Sequence, residues 1–174
     1  MTTYSIRPST PEEAEAIIGI YPAIFPEEDL QPLVRDLLDE GEAVLSLGAV
    51  AEDEIIGHVV FTLCAVEGST EHIGLLGPLG VLPDRQGQGI GRALVQAGFE
   101  AMKQRGIAKV CVLGDPDFYG RYGFEAEKDI KPPYDLLAEW GGAWQSVMLN
   151  DNAAPVTGTL TPPKPWQNKA LWLP

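Results

Sequence analysis

Between Leu75 and Leu94 an apolar strand runs into a glycine-rich turn, and the turn runs straight into a helix; no other stretch of this 174-residue chain restricts its fold as strongly. It reads Leu75-Leu76-Gly77-Pro78-Leu79-Gly80-Val81-Leu82-Pro83-Asp84-Arg85-Gln86-Gly87-Gln88-Gly89-Ile90-Gly91-Arg92-Ala93-Leu94. At such a junction, free backbone N–H groups and the positive end of the helix dipole converge, which suits phosphate oxygens. Glycines at 87, 89 and 91 let the backbone approach an anion without interference from a Cβ. Arg85 and Arg92 can add charge-assisted hydrogen bonds.

Three readings of the turn compete. A Walker A loop needs Gly-Lys-Ser/Thr, which is missing here. A dinucleotide-binding fold needs Gly-x-Gly-x-x-Gly opening an early βαβ unit, and Gly87-x-Gly89-x-Gly91 has the wrong spacing. The third reading is a tight strand-to-helix turn that binds nothing.

The surrounding pattern sets the fold class. Tyr4–Arg7 reads as a first strand. Thr10-Pro11-Glu12-Glu13 reads as a helix start with a capping box, the helix fading near Tyr21-Pro22. A second helix follows Pro26, with Leu30, Leu33, Val34, Leu37 and Leu38 on its inner face, Glu27–Asp29 before or in its first turn and Gly41 as its stop. Residues 43–51 and 55–66 form a hairpin joined at Glu52-Asp53-Glu54. Residues 74–82 form a strand made irregular by Gly77-Pro78 and Gly80. The helix from Gly89 to Arg105 buries Ile90, Leu94, Ala97, Ala101 and Met102 and closes at Gly106. Ala108–Leu113 is a strand, Asp115-Pro116 opens a short helix ending at Gly123, and Phe124 starts another strand. Residues 134–140 make a helical turn or two, and Trp144–Leu149 is a late strand. The predicted class is α/β: a mixed, mainly antiparallel sheet flanked by helices, with a bulged strand and a βαβ crossover from 76 to 113. One domain spans 1–174, with a core of about 3–150 and a Pro-rich tail over 151–174. That tail either packs in extended form through Trp166 and Trp172 or stays mobile.

Charge and cysteines exclude several classes. A net charge of −13 argues against nucleic acid, which needs a basic partner surface. Residues 83–110 are the exception, with Arg85, Arg92, Lys103, Arg105 and Lys109 against Asp84 and Glu100: a basic island in an acidic chain. Cys64 and Cys111 lie in apolar runs, which predicts two buried free thiols and no metal site. With no signal-peptide h-region and no apolar run near ~18 residues, no membrane is expected and cytoplasm is the default.

The segment around the turn resembles the GNAT superfamily of acyl-CoA N-acyltransferases. The family hallmark, Gln/Arg-x-x-Gly-x-Gly/Ala after a bulged strand ending in Val-x-Pro, is matched by Gln86, Gly89 and Gly91 after Val81-Leu82-Pro83. A second signature, an aromatic helix ending in Gly-Phe, is matched by Phe118-Tyr119-Gly120-Arg121-Tyr122-Gly123-Phe124. Leu-Gly-Pro-Leu-Gly-Val and Leu-Gly-Asp-Pro-x-Phe-Tyr are similar to the subgroup of predicted acetyltransferases. The resemblance implies an N-acetyltransferase that uses acetyl-CoA, needs no metal, and lets an amine acceptor attack the thioester directly. It implies cofactor contacts from Leu79, Val81, Arg85, Gln86, Gly87, Gln88, Gly89, Ile90, Gly91, Arg92 and Phe118. It further implies that the strand around Leu79–Val81 splays from that around Val110–Leu113, making room for the pantetheine arm. A backbone N–H near Val81 would polarise the thioester carbonyl. Tyr119 stands where the family often places the acid that protonates the departing thiolate. The family includes monomers and homodimers, so both stay open.

Several roles are left open by the residues. His58 and His72 titrate near neutrality in isolation, yet a lone His on an apolar strand is more often a satisfied core residue. Glu67 and Glu71 can serve as bases or as solvated loop charges, and an ordered water chain can replace a base altogether. Glu27, Glu28 and Asp29 suit a cationic acceptor or simply the start of the second helix. The alternative to an enzyme is a non-catalytic acyl-CoA-binding module.

Overall fold

The computed structural model describes residues 3–173. Their elements, in chain order, are β1 (Ser5–Pro8), α1 (Ala14–Ile24), α2 (Gln31–Leu38), β2 (Val44–Ala51), β3 (Glu54–Glu67), β4 (His72–Val81), α3 (Ile90–Gln104), β5 (Lys109–Leu113), α4 (Pro116–Tyr119), β6 (Glu125–Ala126), β7 (Ile130–Lys131), β8 (Trp144–Met148) and β9 (Gly158–Thr161), with short 3-10 turns between them. The hydrogen-bonded strand order is β1-β2-β3-β4-β5-β8-β6, and β9 pairs with both β3 and β7. The fold class is the predicted one, a mixed and mostly antiparallel sheet with helices. Contacts divide the chain into two compact units: Met1–Phe61 with Gly77–Glu100, and Thr62–Leu76 with Ala101–Pro174.

In the first unit, β1 runs antiparallel to β2, from Ser5↔Val50 to Pro8↔Leu47. The β2–β3 hairpin turns on Glu52 and Asp53, at φ 51° and 64°. Positive φ at both central residues matches the right-handed strand twist, and it overrides the cost to non-glycine side chains. Before α1 the capping box forms as predicted: the Glu13 carboxylate accepts from the Thr10 N–H at 2.9 Å. The helix does not fade at Tyr21-Pro22, however; Pro22 lies inside it and α1 continues to Ile24. Proline deprives the Ile18 carbonyl of its usual donor. The Gln31 amide supplies one instead, at 3.1 Å from Ile18 O, and so ties the start of α2 to the flaw in α1.

Two other boundaries become definite. α2 begins at Gln31, which places Glu27–Asp29 before the helix, the first of the two positions left open by the sequence. Gly41 has the positive φ of a helix stop, 68°, but follows the C-cap Asp39 by two residues and opens a 3-10 turn. Ile17, Ile18, Tyr21, Val34 and Ile55 form the buried cluster beneath α1 and α2.

The inner face of α3 also departs from the apolar spacing. Ile90, Leu94, Val95, Gly98 and Met102 are buried, while Ala97 and Ala101 are only half-buried. The stripe follows the i, i+4 row, and its member Gly98 carries no side chain for a periodicity argument to count. The Phe61 ring fills that space, against Gly98 and edge-to-face with Phe99 at 6.1 Å.

In the second unit, β4 and β5 pair in parallel at Gly74↔Val110 and Leu75↔Cys111, so β4, α3 and β5 make the expected crossover. β8 lies antiparallel to β5, from Lys109↔Met148 to Leu113↔Trp144, with β6 on its other side. The Pro-rich tail is packed and carries a strand that the sequence did not reveal, β9, paired with β3 and β7. Trp166 and Trp172 anchor it as expected. The Trp166 indole donates to Thr62 Oγ1 at 3.1 Å, and the Trp172 indole to the Trp166 carbonyl at 3.0 Å. Residues 138–143, rather than 134–140, form the late helical turn.

Cys64 and Cys111 are free and buried, and burial pushes both thiols up, away from thiolate chemistry. Lys109 belongs to a buried ion pair with Glu127 at 2.8 Å, at side-chain exposures of 9% and 2%. Glu127 also accepts from the Ser146 hydroxyl and the N–H groups of Asp129 and Ile130. Burial acts to raise the Glu127 carboxyl, but these hydrogen bonds outweigh it and hold it below the usual range. The basic island read from the sequence is therefore smaller than it looks, because Lys109 is already neutralised. Among the described residues no helix is long and apolar enough to cross a membrane.

Candidate active site

The turn from Gln86 to Gly91 leaves the end of β4 through a 3-10 turn, Pro83–Arg85, and enters α3. Its shape is set by two glycines in the left-handed region, Gly87 at φ 79° and Gly89 at φ 80°. A Cβ at either would meet nothing within 4 Å, so the demand is on backbone conformation alone. The Gln86 amide reaches back to the Val81 carbonyl at 3.1 Å and fastens the turn to the strand. The first bond of α3 runs from the Ala93 N–H to the Gly89 carbonyl, 3.0 Å, so the N–H groups of Ile90 and Gly91 have no acceptor inside the helix. The first turn carries no acidic side chain to offset the dipole. An anion is the natural complement. Arg85, half-buried, and Arg92, exposed, flank this turn.

The second motif is built on the end of β5. Asp115 caps α4, its Oδ1 accepting from the Asp117 N–H at 2.9 Å, and the Tyr119 N–H donates to the Asp115 carbonyl at 2.9 Å. Gly123, at φ 92°, ends the following 3-10 turn. The Tyr119 ring is fenced edge-to-face by Phe118, Phe124 and Tyr122, with centroids 4.9, 5.7 and 6.5 Å away. The Arg121 guanidinium covers the Phe118 ring at 4.5 Å. The Tyr119 hydroxyl makes no hydrogen bond among the described residues. Burial, and then the neighbouring Tyr122, push this phenol above the ordinary tyrosine value, so it stays protonated well into the alkaline range. It is a proton donor by default.

Residues 14–124 match the Acetyltransferase (GNAT) family. The chain belongs to that family. It is 33% identical over 146 residues to the uncharacterized N-acetyltransferase YjhQ of Escherichia coli (strain K12), covering 80% of this chain and 81% of the relative. It is 35% identical over 154 residues to the uncharacterized N-acetyltransferase YhbS of the same strain, covering 85% and 89%. The fold superposes on the 1.55 Å crystal structure of Escherichia coli YhbS in complex with CoA, with a TM-score of 0.86, 31% identity, and coverage of 97% of this chain and 94% of that one. This GNAT chain is accordingly an N-acetyltransferase with acetyl-CoA as its co-substrate, and the fold and enzyme class expected from the sequence hold.

The other candidates separate once their surroundings are seen. His58 is sealed in the first unit of this GNAT enzyme, with the Tyr21 hydroxyl 2.7 Å from Nδ1 and Ser46 Oγ 2.7 Å from Nε2. Ser9 extends the chain by donating to Ser46 at 2.6 Å. Burial drives the His58 value down to about 3, so the ring is neutral and both nitrogens are occupied. Tyr21, buried with no other acceptor among the described residues, donates to Nδ1, and the Nε2–H then donates to Ser46. This is a satisfied core histidine, tying α1, β2 and β3 together. His72, Glu67 and Glu71 are exposed. Glu27, Glu28 and Asp29 are exposed too, along a 270 Å³ cavity that Phe25 and Leu30 help to line. Trp172 packs edge-to-face against both Trp144 and Trp166 in the second unit.

Beside Tyr119 the structure joins Gly114 and Gln145 through a hydrogen bond from Gln145 Nε2 to the Gly114 carbonyl at 3.0 Å, neither residue being among the sequence candidates. Only the Leu-Gly-Asp-Pro string hinted at the first, and nothing hinted at the second.

Proposed function

We propose that this GNAT enzyme, acting as one catalytic domain over 1–174, moves the acetyl group from acetyl-CoA to a primary amine of a small molecule or peptide by direct attack. The Gln86–Gly91 turn holds the pyrophosphate, with Arg85, Gln88, Ile90 and Arg92 around it. Leu79 and Val81 offer backbone groups to the pantetheine arm, and the Val81 N–H polarises the thioester carbonyl. Phe118 lines the acyl group. The neutral amine adds to the carbonyl carbon, the C–S bond breaks as Tyr119 passes its proton to the departing sulfur, and the proton shed by the amine nitrogen goes to solvent, from which Tyr119 is re-protonated. The single observation that carries this reading is the Tyr119 hydroxyl: held in an aromatic frame, kept protonated by burial, and left without a protein partner among the described residues. His58 takes no part, because its two nitrogens are already engaged. The buried free thiols fit a reducing compartment, supporting work in the cytoplasm, and the charge of −13 speaks against a nucleic-acid substrate.

Thermal unfolding with acetyl-CoA, CoA, ATP and NADH, each alone, tests the cofactor assignment. A ligand at ~100 times its dissociation constant adds about 2.7 kcal/mol. Stabilisation by acetyl-CoA and CoA only, lost in Gly89→Glu, is the expected pattern. CoA release on adding primary amines then tests the chemistry. Binding without any amine-dependent release would leave an acyl-CoA-binding module.

A further inference from the structure

We propose that Gly114 and Gln145 are positioning residues for Tyr119: Gly114 vacates the space in which the Tyr119 ring lies, and Gln145 clamps the Gly114 backbone so that this space keeps its place. The inference rests on the acid role given to Tyr119 above. A Cβ added to Gly114 would stand 2.8 Å from Tyr119 Cδ2, 3.4 Å from Cζ, and nearer still to Cε2. Gly114 is not in the left-handed region, so its backbone suits any L-residue and the need for glycine is one of space. The backbone cannot recoil to admit a side chain. Its N–H donates to the Ala143 carbonyl at 2.9 Å, and its carbonyl accepts from Gln145 Nε2 at 3.0 Å.

Gln145 is a polar side chain only 2% exposed, on β8 opposite Val112 of β5. A buried amide is costly unless it is bonded, and its amino group is spent on the Gly114 carbonyl and, more weakly at 3.5 Å, on that of Ala143. On the ring's other sides stand Phe118, Tyr122 and Phe124. The Tyr119 ring is thus flanked by these rings and by the Gly114 backbone, and its hydroxyl is free of protein hydrogen bonds among the described residues. A methyl at 114 moves the ring by about 1 Å, and an error of that size at a catalytic group costs on the order of a hundredfold in rate.

The five tyrosines, labelled as 3-fluorotyrosine, give 19F resonances in which Tyr119→Phe identifies that of Tyr119. Gly114→Ala is expected to shift this resonance and leave those of Tyr4 and Tyr21 in place, and Gln145→Met to shift it less. A Tyr119 resonance that Gly114→Ala does not move overturns the proposal, whatever the activity. CoA release from acetyl-CoA, with n-butylamine as the acceptor probe, gives the catalytic readout. Gly114→Ala should lower kcat on the order of a hundredfold with KM for acetyl-CoA kept within about twofold. In a Tyr119→Phe background it should lower kcat no further, and independent, multiplying losses would reject the coupling. A Tyr119→Phe enzyme as fast as the wild type sinks the acid role instead, while the resonance still decides placement. Should Gly114→Ala fail to fold, adding Tyr119→Ala must restore folding. If the double variant also fails, Gly114 makes room for something else and the proposal falls.

Discussion

A side chain on Gly87 or Gly89 would meet nothing within 4 Å, whereas one on Gly114 would strike the Tyr119 ring. The first two glycines sit at φ 79° and 80°, where the backbone itself excludes most residues, while Gly114 adopts a conformation open to all of them. Both segments follow a strand and lead into a helix, yet one is shaped by what the chain must do locally and the other by what must lie upon it. The empty space at the turn before α3 suits the anion proposed to approach its backbone. In the segment after β5 the Tyr119 ring fills that space.

The contrast can be broken, and the largest effect should come from the proton donor proposed at Tyr119. Tyr119→Phe keeps the aromatic frame but removes the hydroxyl, and should lower kcat by about a hundredfold or more while acetyl-CoA still stabilises the fold. Unchanged steady-state turnover would show that the frame, not the phenol, is what the segment provides. Next comes Gly89→Glu. It combines an unfavourable φ with a carboxylate at the proposed pyrophosphate position, and should weaken CoA on the order of a hundredfold by calorimetry. Full affinity in that variant would move the phosphate site elsewhere.

A smaller effect sharpens the distinction between the two uses of glycine. Asparagine tolerates the left-handed region, so Gly87→Asn should be more stable than Gly87→Val by about 1 kcal/mol in denaturant unfolding. At position 114, where bulk matters, asparagine should be no better tolerated than valine. Equal losses at 87 would mean that the turn is constrained by space after all.

The smallest effect concerns the buried polar chain around His58. Its folded value is about 3 against an ordinary 6.5, so at pH above 6.5 both folded and unfolded chains hold the ring neutral and its contribution to stability is complete. As the pH falls towards 3, the unfolded chain takes up a proton that the folded one refuses, and stability is lost across that window. The unfolding free energy of wild type minus that of His58→Gln should therefore shrink between pH 6.5 and 3. A difference that stays level with pH would mean that His58 is protonated inside the fold.

The Gln86–Gly91 turn, the capping box at Thr10 and Glu13, and the helix from Asp115 to Gly123 could all be read directly, because each depends on residues a few positions apart. Places where the chain meets itself at long range could not. Pro22 reads as a helix end unless one knows that Gln31 serves the Ile18 carbonyl. Gly98 belongs to the buried stripe of α3 only because the Phe61 ring fills its missing side chain. Lys109 counts as a surface cation until Glu127 arrives from eighteen residues on. His58 remained ambiguous for the same reason, since Tyr21 and Ser46 lie on other elements.

By itself, then, the sequence determined the order of elements apart from β7 and β9, the glycine turn, the family, and hence acetyl-CoA as co-substrate, since these follow from local backbone chemistry and short motifs. Tertiary structure alone decided which polar groups are spent. It neutralised Lys109, closed both nitrogens of His58, added β9 to the sheet, and set the Tyr119 ring over a glycine held by Gln145. The physical reason is that burial and hydrogen-bond saturation belong to positions in space. Two residues thirty-one apart in the chain, Gln145 and Gly114, have no relation until β8 is laid beside β5.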